Sequence, residues 1–311
     1  MSDKQTTIAK PVTLKGKGLH TGLQVEITFK PAPENHGFKF QRVDLEEKPV
    51  VRAIAENVTE TSRGTTIVEN GAKIATIEHV MASLSGLGID NALIEINAPE
   101  APIIDGSSKY FTEALKEAGI VEQNTDRDYF VVKETILYKN EEKGIEIIIF
   151  PEDKFTVDVL IDYNSKILGN QYATLDRIED FETQIAPSRT FVFLREVEFL
   201  YQNNLIKGGD LENAIVIMEK QVPQEELDRL ADLFHMPKIK AKPIGILNNV
   251  DLRFSNEPAR HKLLDLVGDF ALIGKRIKGR VIATRPGHMA NTETAKMIRK
   301  MIKKQAGKPL P

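Results

Sequence analysis

The residues most able to do chemistry recur at one interval. His261, Asp265 and Asp269 follow one another every four residues, which on an α-helix brings them to one side, a turn apart. An imidazole and a carboxylate at that interval can share a metal ion. Leu263, Leu266, Val267 and Phe270 lie at i, i+3, i+4 and i+7 and form an apolar stripe on the other side. A second stretch has the same layout: Ile77, Val80, Met81 and Leu84 make the stripe, and His79 points away from it. His79, His261 and Asp265 could supply three ligands and leave a fourth zinc position open to water, as catalytic sites do. Glu78, beside His79, could take a proton from that water, whose pKa zinc lowers to about 7. Spacing alone leaves another reading open, in which both polar faces look into solvent and Glu78 stabilises the start of its helix.

The chain has six histidines and no cysteine. No disulfide can form, and any zinc must be held by His, Asp or Glu. His288 sits in RPGH (285–288), a turn after a strand. As a working group it needs a carboxylate to fix its tautomer and hold its proton, and Asp269 is the candidate. Lys262 could polarise a carbonyl, meet a phosphate or simply be solvated. His20 in GLHTG and His36 in ENHG read as turn residues. His235 ends a charged helix, where a cation suits the dipole. The glycine pair Gly208 and Gly209 lacks the spacing of a phosphate-cradling loop, and no Walker or nucleophile-elbow sequence is present.

These residues need elements to position them. A chain of 311 residues, 41% hydrophobic and 28% charged, suits two globular domains. A net charge of −3 gives no electrostatic reason to expect nucleic acid. The polar stretch 1–10 lacks a signal-peptide core, and no window nears the roughly 20 apolar residues of a membrane span, so a cytoplasmic protein is expected. Residues 8–76 read as short strands, with Leu23, Val25, Ile27 and Phe29 alternating against polar neighbours. A helix near 76 follows, stopped by Gly86 and Gly88, then a strand over 91–97 and a helix capped by Ser107 and ended by Gly119. The polar segment 121–128 marks a domain boundary. Strands over 129–175 then lead to a helix over 188–203 and a strand over 213–218. A helix over 258–273, a strand over 277–283 and a helix over 292–304 complete the order. Strands running into helix–strand–helix twice suggest a duplicated α+β unit, with domains at 1–126 and 127–311. Residues 219–256, with a helix over 223–234, read as a surface insertion. The basic tail 303–311 reads as frayed or as the start of a linker.

Longer stretches carry a family resemblance. TIEHV (76–80) followed by LSGLGIDN (84–91) resembles the first signature of the UDP-3-O-acyl-N-acetylglucosamine deacetylases. GKGLHTG (16–22), APEAPIIDGS (98–107), SRTFVF (188–193), residues 208–216, EPARHKLLDLVGD (257–269) and RPGH match further stretches in family order. They cover nearly the whole chain outside the insertion. The resemblance implies an α+β fold of two domains with similar βα topology, helices sandwiched between sheets and the site between domains. It implies that His79, His261 and Asp265 hold zinc, with iron(II) able to substitute. Glu78 is then the general base and Thr190 hydrogen-bonds the oxyanion. His288, oriented by Asp269, stabilises charge or protonates the leaving amine, and Lys262 assists at the substrate. Phe191, Gly209 and Asp210 are implied to meet the substrate. Leu194, Val197 and Ile206 are the candidates for an apolar passage, or ordinary core.

The implied reaction removes the N-acetyl group of UDP-3-O-(3-hydroxyacyl)-N-acetylglucosamine, the step that commits the sugar to lipid A. Asp210 departs from the Ser of many members, which bears on acyl-chain length. The insertion resembles the version fused to a hydroxyacyl-carrier-protein dehydratase in Bacteroidetes-type bacteria, so a fused or separate dehydratase partner is expected, although no such module follows Ile302 here. A cysteine that some members carry near the site is missing. Two rivals stand beside this reading: a zinc amidohydrolase acting on another N-acetyl sugar, and an inactive relative that only binds sugar nucleotide. Glu78, His79, His261, Asp265 and His288 occurring together speak against the second.

Overall fold

Alternation decides the sheets. Val25, Ile27 and Phe29 are buried while the residues between them are not, as a strand with one face on a core requires. Leu23 lies outside that strand and is exposed. The computed structural model of the chain describes residues 3–202, 207–209, 213–233, 238, 245–246 and 250–307. Its first half contains β1 (Lys4–Ile8), β2 (Val12–Lys17), β3 (Gln24–Pro31), β4 (Phe38–Arg42) and β5 (Val50–Arg52). There follow β6 (Val58–Glu60), β7 (Thr66–Glu69), β8 (Ala72–Ile74), α1 (Glu78–Gly86), β9 (Ala92–Ile96), α2 (Lys109–Ala118) and β10 (Ile120–Asp126). The second half opens with β11 (Tyr129–Val131), β12 (Ile136–Asn140), β13 (Ile145–Phe150), β14 (Phe155–Ile161), β15 (Gln171–Leu175) and α3 (Phe181–Gln184). Then come β16 (Phe191–Phe193), α4 (Leu194–Gln202), β17 (Ile215–Met218), α5 (Gln224–Leu233), β18 (Gly245–Ile246), α6 (Glu257–Ala271), β19 (Arg276–Thr284) and α7 (His288–Gln305).

Of the two largest sheets, one runs β2-β3-β9-β4-β5 and the second, with β11 beside it, runs β12-β13-β19-β14-β15. Strand for strand the two paths coincide. Both paths are antiparallel except where β4 meets β9 and β14 meets β19, and β11 also joins β19 in parallel. In each half a helix precedes the central strand and a helix follows it, so α1 corresponds to α6 and α2 to α7. The fold is α+β, with these helices packed between the sheets around one continuous core. The recurrence of strands and helices expected from sequence is thus a repeat of topology.

Several local expectations are corrected. The polar segment after 120 is a strand, β10, paired with β1. Most of its residues are exposed, so no apolar alternation marked it. The helix expected over 188–203 begins only at Leu194, because Phe191, Val192 and Phe193 pair in parallel with β17. An aromatic and β-branched run with apolar partners on both faces favours a strand over a helix. The last helix starts at His288, a turn earlier than expected, after an extended Gly287. The helix after Ser107 begins at Lys109, and the Ser107 hydroxyl still accepts the Lys109 N–H at 3.2 Å. The helix of the insertion spans Gln224–Leu233, and His235 lies outside the described residues.

The cross-helix fit rests on a glycine. A Cβ on Gly268 of α6 would lie 2.1 Å from the Glu78 carbonyl oxygen of α1. Gly268→Ala should therefore destabilise the protein by about 1–3 kcal/mol through overpacking. It should also disturb any metal site built from residues of both helices, since their separation follows from the helix spacing. Melting and metal stoichiometry check this, and wild-type values of both would show that the crossing tolerates a methyl group.

Beyond the C-terminal end of α1, charge ties the halves together. Asp90 accepts Arg127 Nη2 at 2.7 Å and Arg276 Nε at 2.8 Å. Arg276 also bonds the carbonyls of Ser85 and Ile89, and Arg127 that of Gly88, so both cations meet the negative end of a helix dipole. A cavity of about 770 Å³ opens beside them, lined also by Lys39, Lys278, Phe38 and Phe155.

Candidate active site

Each proposed ligand owes its place to a local device. Thr76 has a left-handed backbone, φ 56°, and its hydroxyl donates to Glu100. That sharp bend launches α1 so that Glu78 and His79, its first two residues, are buried. On α6, Glu257 ends a buried ion pair, with Arg189 Nε 2.9 Å from Oε1. One turn on, His261 Nδ1 lies 3.0 Å from the Ser188 carbonyl. A carbonyl only accepts, so Nδ1 carries the proton and Nε2 keeps its lone pair. Another turn on is Asp265.

His261 Nε2 is 3.4 Å from Asp265 Oδ1, and His79 Nε2 is 3.7 Å from the same oxygen. The two imidazoles meet edge to face, 5.0 Å between centroids. One ligand atom from each of the three lies within 4.8 Å of the others. Zinc bonds of about 2.0–2.1 Å at tetrahedral angles would set such atoms about 3.3 Å apart. Asp265 Oδ1 is buried with no hydrogen-bond partner among the described residues, an arrangement that a cation between it and two imidazoles would complete. The residues fit a metal.

The charges fit as well. Burial, helped by neighbouring His261, pushes the His79 pKa down to about 3, and burial also lowers that of His261. Both rings are therefore neutral and able to ligate. Burial opposes ionisation of Asp265, but its basic neighbours, among them the cationic Lys262 and His288, outweigh it and hold the carboxyl well below its usual range. Lys262 Nζ is 2.8 Å from Asp265 Oδ2. Burial works against the ammonium, yet Asp265 and Tyr163 hold its pKa above the usual value.

Glu78 and His288 flank this cluster. His288 Nε2 lies 4.0 Å from Glu78 Oε1 and 3.8 Å from Asp265 Oδ2. Its Nδ1 is 3.0 Å from Asp269 Oδ2, the partner expected from sequence. Burial lowers the His288 pKa, but Asp269, Asp265 and Glu78 more than reverse this and lift it to about 9. Burial raises that of Glu78 to about 7, against the pull of His288. The two polar helix faces thus meet each other, and the solvated alternative is excluded for Glu78, His79, His261, Asp265 and Asp269, all buried.

The remaining expected residues are less tightly gathered. Thr190, two residues beyond Ser188, donates its N–H to Gly106 O at 2.7 Å and is partly buried. The Phe191 ring lies 5.7 Å from Lys262 Nζ and 5.4 Å from the Tyr163 ring, beside the ligands. Leu194 and Val197 instead pack with Val216, Met218 and Leu227, while Phe191 packs with Phe193, Ile215 and Ile217. Alternation along β16 and β17 puts those groups on opposite faces. Gly208 N–H donates to Leu19 O at 3.0 Å, which brings the partly buried Gly209 toward the 18–22 turn. Ile206 and Asp210 lie outside the described residues. Thr65, Asn291, Glu100 and Tyr163 were not singled out from sequence. Only Glu257 carried a usable signal, continuing the four-residue series back from His261.

The sequence profile described as LpxC, UDP-3-O-acyl N-acetylglycosamine deacetylase, matches residues 5–239 and 238–300. The chain belongs to this family. Among LpxC-family relatives, a protein of Bacteroides thetaiotaomicron named bifunctional enzyme LpxC/FabZ is 51% identical over 96% of the chain and 65% of its own length. A Porphyromonas gingivalis protein of the same name is 52% identical with the same coverage. The UDP-3-O-acyl-N-acetylglucosamine deacetylase of Myxococcus xanthus is 36% identical over 97% of the chain and 87% of its length. The chain thus spans just under two thirds of the two LpxC/FabZ relatives. No described helix is long and apolar enough to cross a membrane.

Proposed function

We propose that this chain is a zinc-dependent deacetylase that converts UDP-3-O-(3-hydroxyacyl)-N-acetylglucosamine and water to the free amine and acetate, the committed step of lipid A synthesis. The convergence of His79, His261 and Asp265 beside Glu78 and His288 carries the reading; family membership supplies the substrate class. Zinc, or iron(II) in its place, held by the three ligands would polarise the acetyl carbonyl and acidify water. Glu78 takes the proton of the attacking water, and its buried carboxyl is suited to this near neutral pH. Thr190 donates to the oxyanion that forms at the carbonyl carbon. The amine leaves only when protonated, and His288, kept cationic against Asp269, delivers that proton. Lys262 neutralises charge at the substrate, and Phe191 and Gly209 contact it, with Asp210 assigned alongside them.

Leu194, Val197 and Ile206 are assigned to the acyl passage. In the same reading the halves 1–126 and 127–311 are domains, the protein works in the cytoplasm, and a dehydratase partner, fused or separate, accompanies it. The test is acetate release by the zinc-loaded chain from the acylated UDP-sugar and from UDP-N-acetylglucosamine. Turnover of the first and at least about 100-fold less of the second is expected, since remote binding energy is used at the reacting centre. Equal turnover would redirect the assignment to another N-acetyl sugar, and no turnover with zinc bound would sink it.

A further inference from the structure

Thr65, just before β7, is fully buried, and each of its polar atoms is engaged at the junction of the two halves. Its N–H donates to Glu78 Oε2 at 2.9 Å, and its carbonyl accepts the N–H of Ile77 at 3.2 Å. Its hydroxyl donates to Asp269 Oδ1 at 2.5 Å and lies 3.3 Å from His288 Nδ1. A carboxylate only accepts, so the single hydroxyl proton goes to Asp269 and the His288 contact runs the other way. The Nδ1–H is then shared between Asp269 Oδ2 and the Thr65 oxygen. Asn291 Nδ2 holds that same Oδ2 at 2.9 Å, which leaves Asp269 little freedom to rotate. Space for Glu78 comes from the neighbouring Gly64, where a Cβ would lie 2.9 Å from Oε1.

We infer that Thr65 is a positioning residue that sets base against acid: its main chain fixes Glu78 and its hydroxyl fixes the Asp269–His288 pair. No metal ligand is touched by the hydroxyl, so the effect is one of alignment. Catalytic groups must be held within about 0.5 Å of productive geometry, and two groups on different halves have no shared backbone to do so. The inference rests on the proposed roles of Glu78 and His288.

Thr65→Val keeps the shape and both main-chain contacts and removes the hydroxyl; Thr65→Ser keeps the hydroxyl. With the acylated UDP-sugar, Thr65→Val should lower kcat about 10–100-fold, the effect of a small misplacement, with KM and bound zinc near wild type. Thr65→Ser should recover most of the loss. A Thr65→Val enzyme with wild-type kcat overturns the inference, as does a Ser variant equally impaired. Loss of zinc or of thermal stability in Thr65→Val matching its loss of activity would likewise reduce Thr65 to a structural residue. His288→Ala, assayed alongside, separates the two levels. If it alone leaves kcat unchanged, the assignment of the acid fails; if it is slow while Thr65→Val is not, only the inference fails.

Discussion

Glu78→Gln should lower kcat by about 10²–10⁴-fold, the usual contribution of a general base, while zinc stays bound. The side chain is suited to this separation of effects. It is buried beside the ligand set without belonging to it, and an amide of the same shape can still accept the Thr65 N–H. What the amide cannot do is take a proton from water. Turnover and metal stoichiometry measured on one preparation decide the matter: normal turnover would remove Glu78 as the base, and lost zinc would make it part of the ligand shell.

His261→Ala should abolish stable metal binding and turnover together. Groups that merely orient a ligand are worth about 10–100-fold in metal affinity, so removing the ligand itself should cost more. The Ser188 carbonyl that fixes the His261 tautomer would lose its donor at the same time. His79 and Asp265 alone leave two ligands, too few for a zinc site. Elemental analysis of the purified variant beside wild type provides the readout, and unchanged stoichiometry would move the site elsewhere.

Much of this centre was legible in the sequence because α6 is a regular helix. His261, Asp265 and Asp269 recur every four residues and share a side whatever surrounds the helix. Sequence periodicity could not say what that side faces, since solvent and a second polar helix leave the same pattern. Thr65 shows the complementary failure. Its hydroxyl meets residues 204 and 223 positions away, and no local pattern in RGTT announces such contacts. The β10 and β16 strands were missed for opposite reasons. One buries too little to alternate, and the other is apolar on both faces, so neither offered a period of two.

The crossed pair α1 and α6 is fastened in two different ways. Near the start of α1, the proposed ligands from both helices converge; past its end, Asp90 gathers Arg127 and Arg276 from the other half. Stripping the proposed ion would therefore release one fastening and leave the other closed. The metal-free chain should behave as a hinged body, its amide exchange quickened around 76–79 and 261–265 and still slow around 85–91. On the proposed reading, such a molecule would wait in folded form for its ion, and reloading would close a joint already aligned.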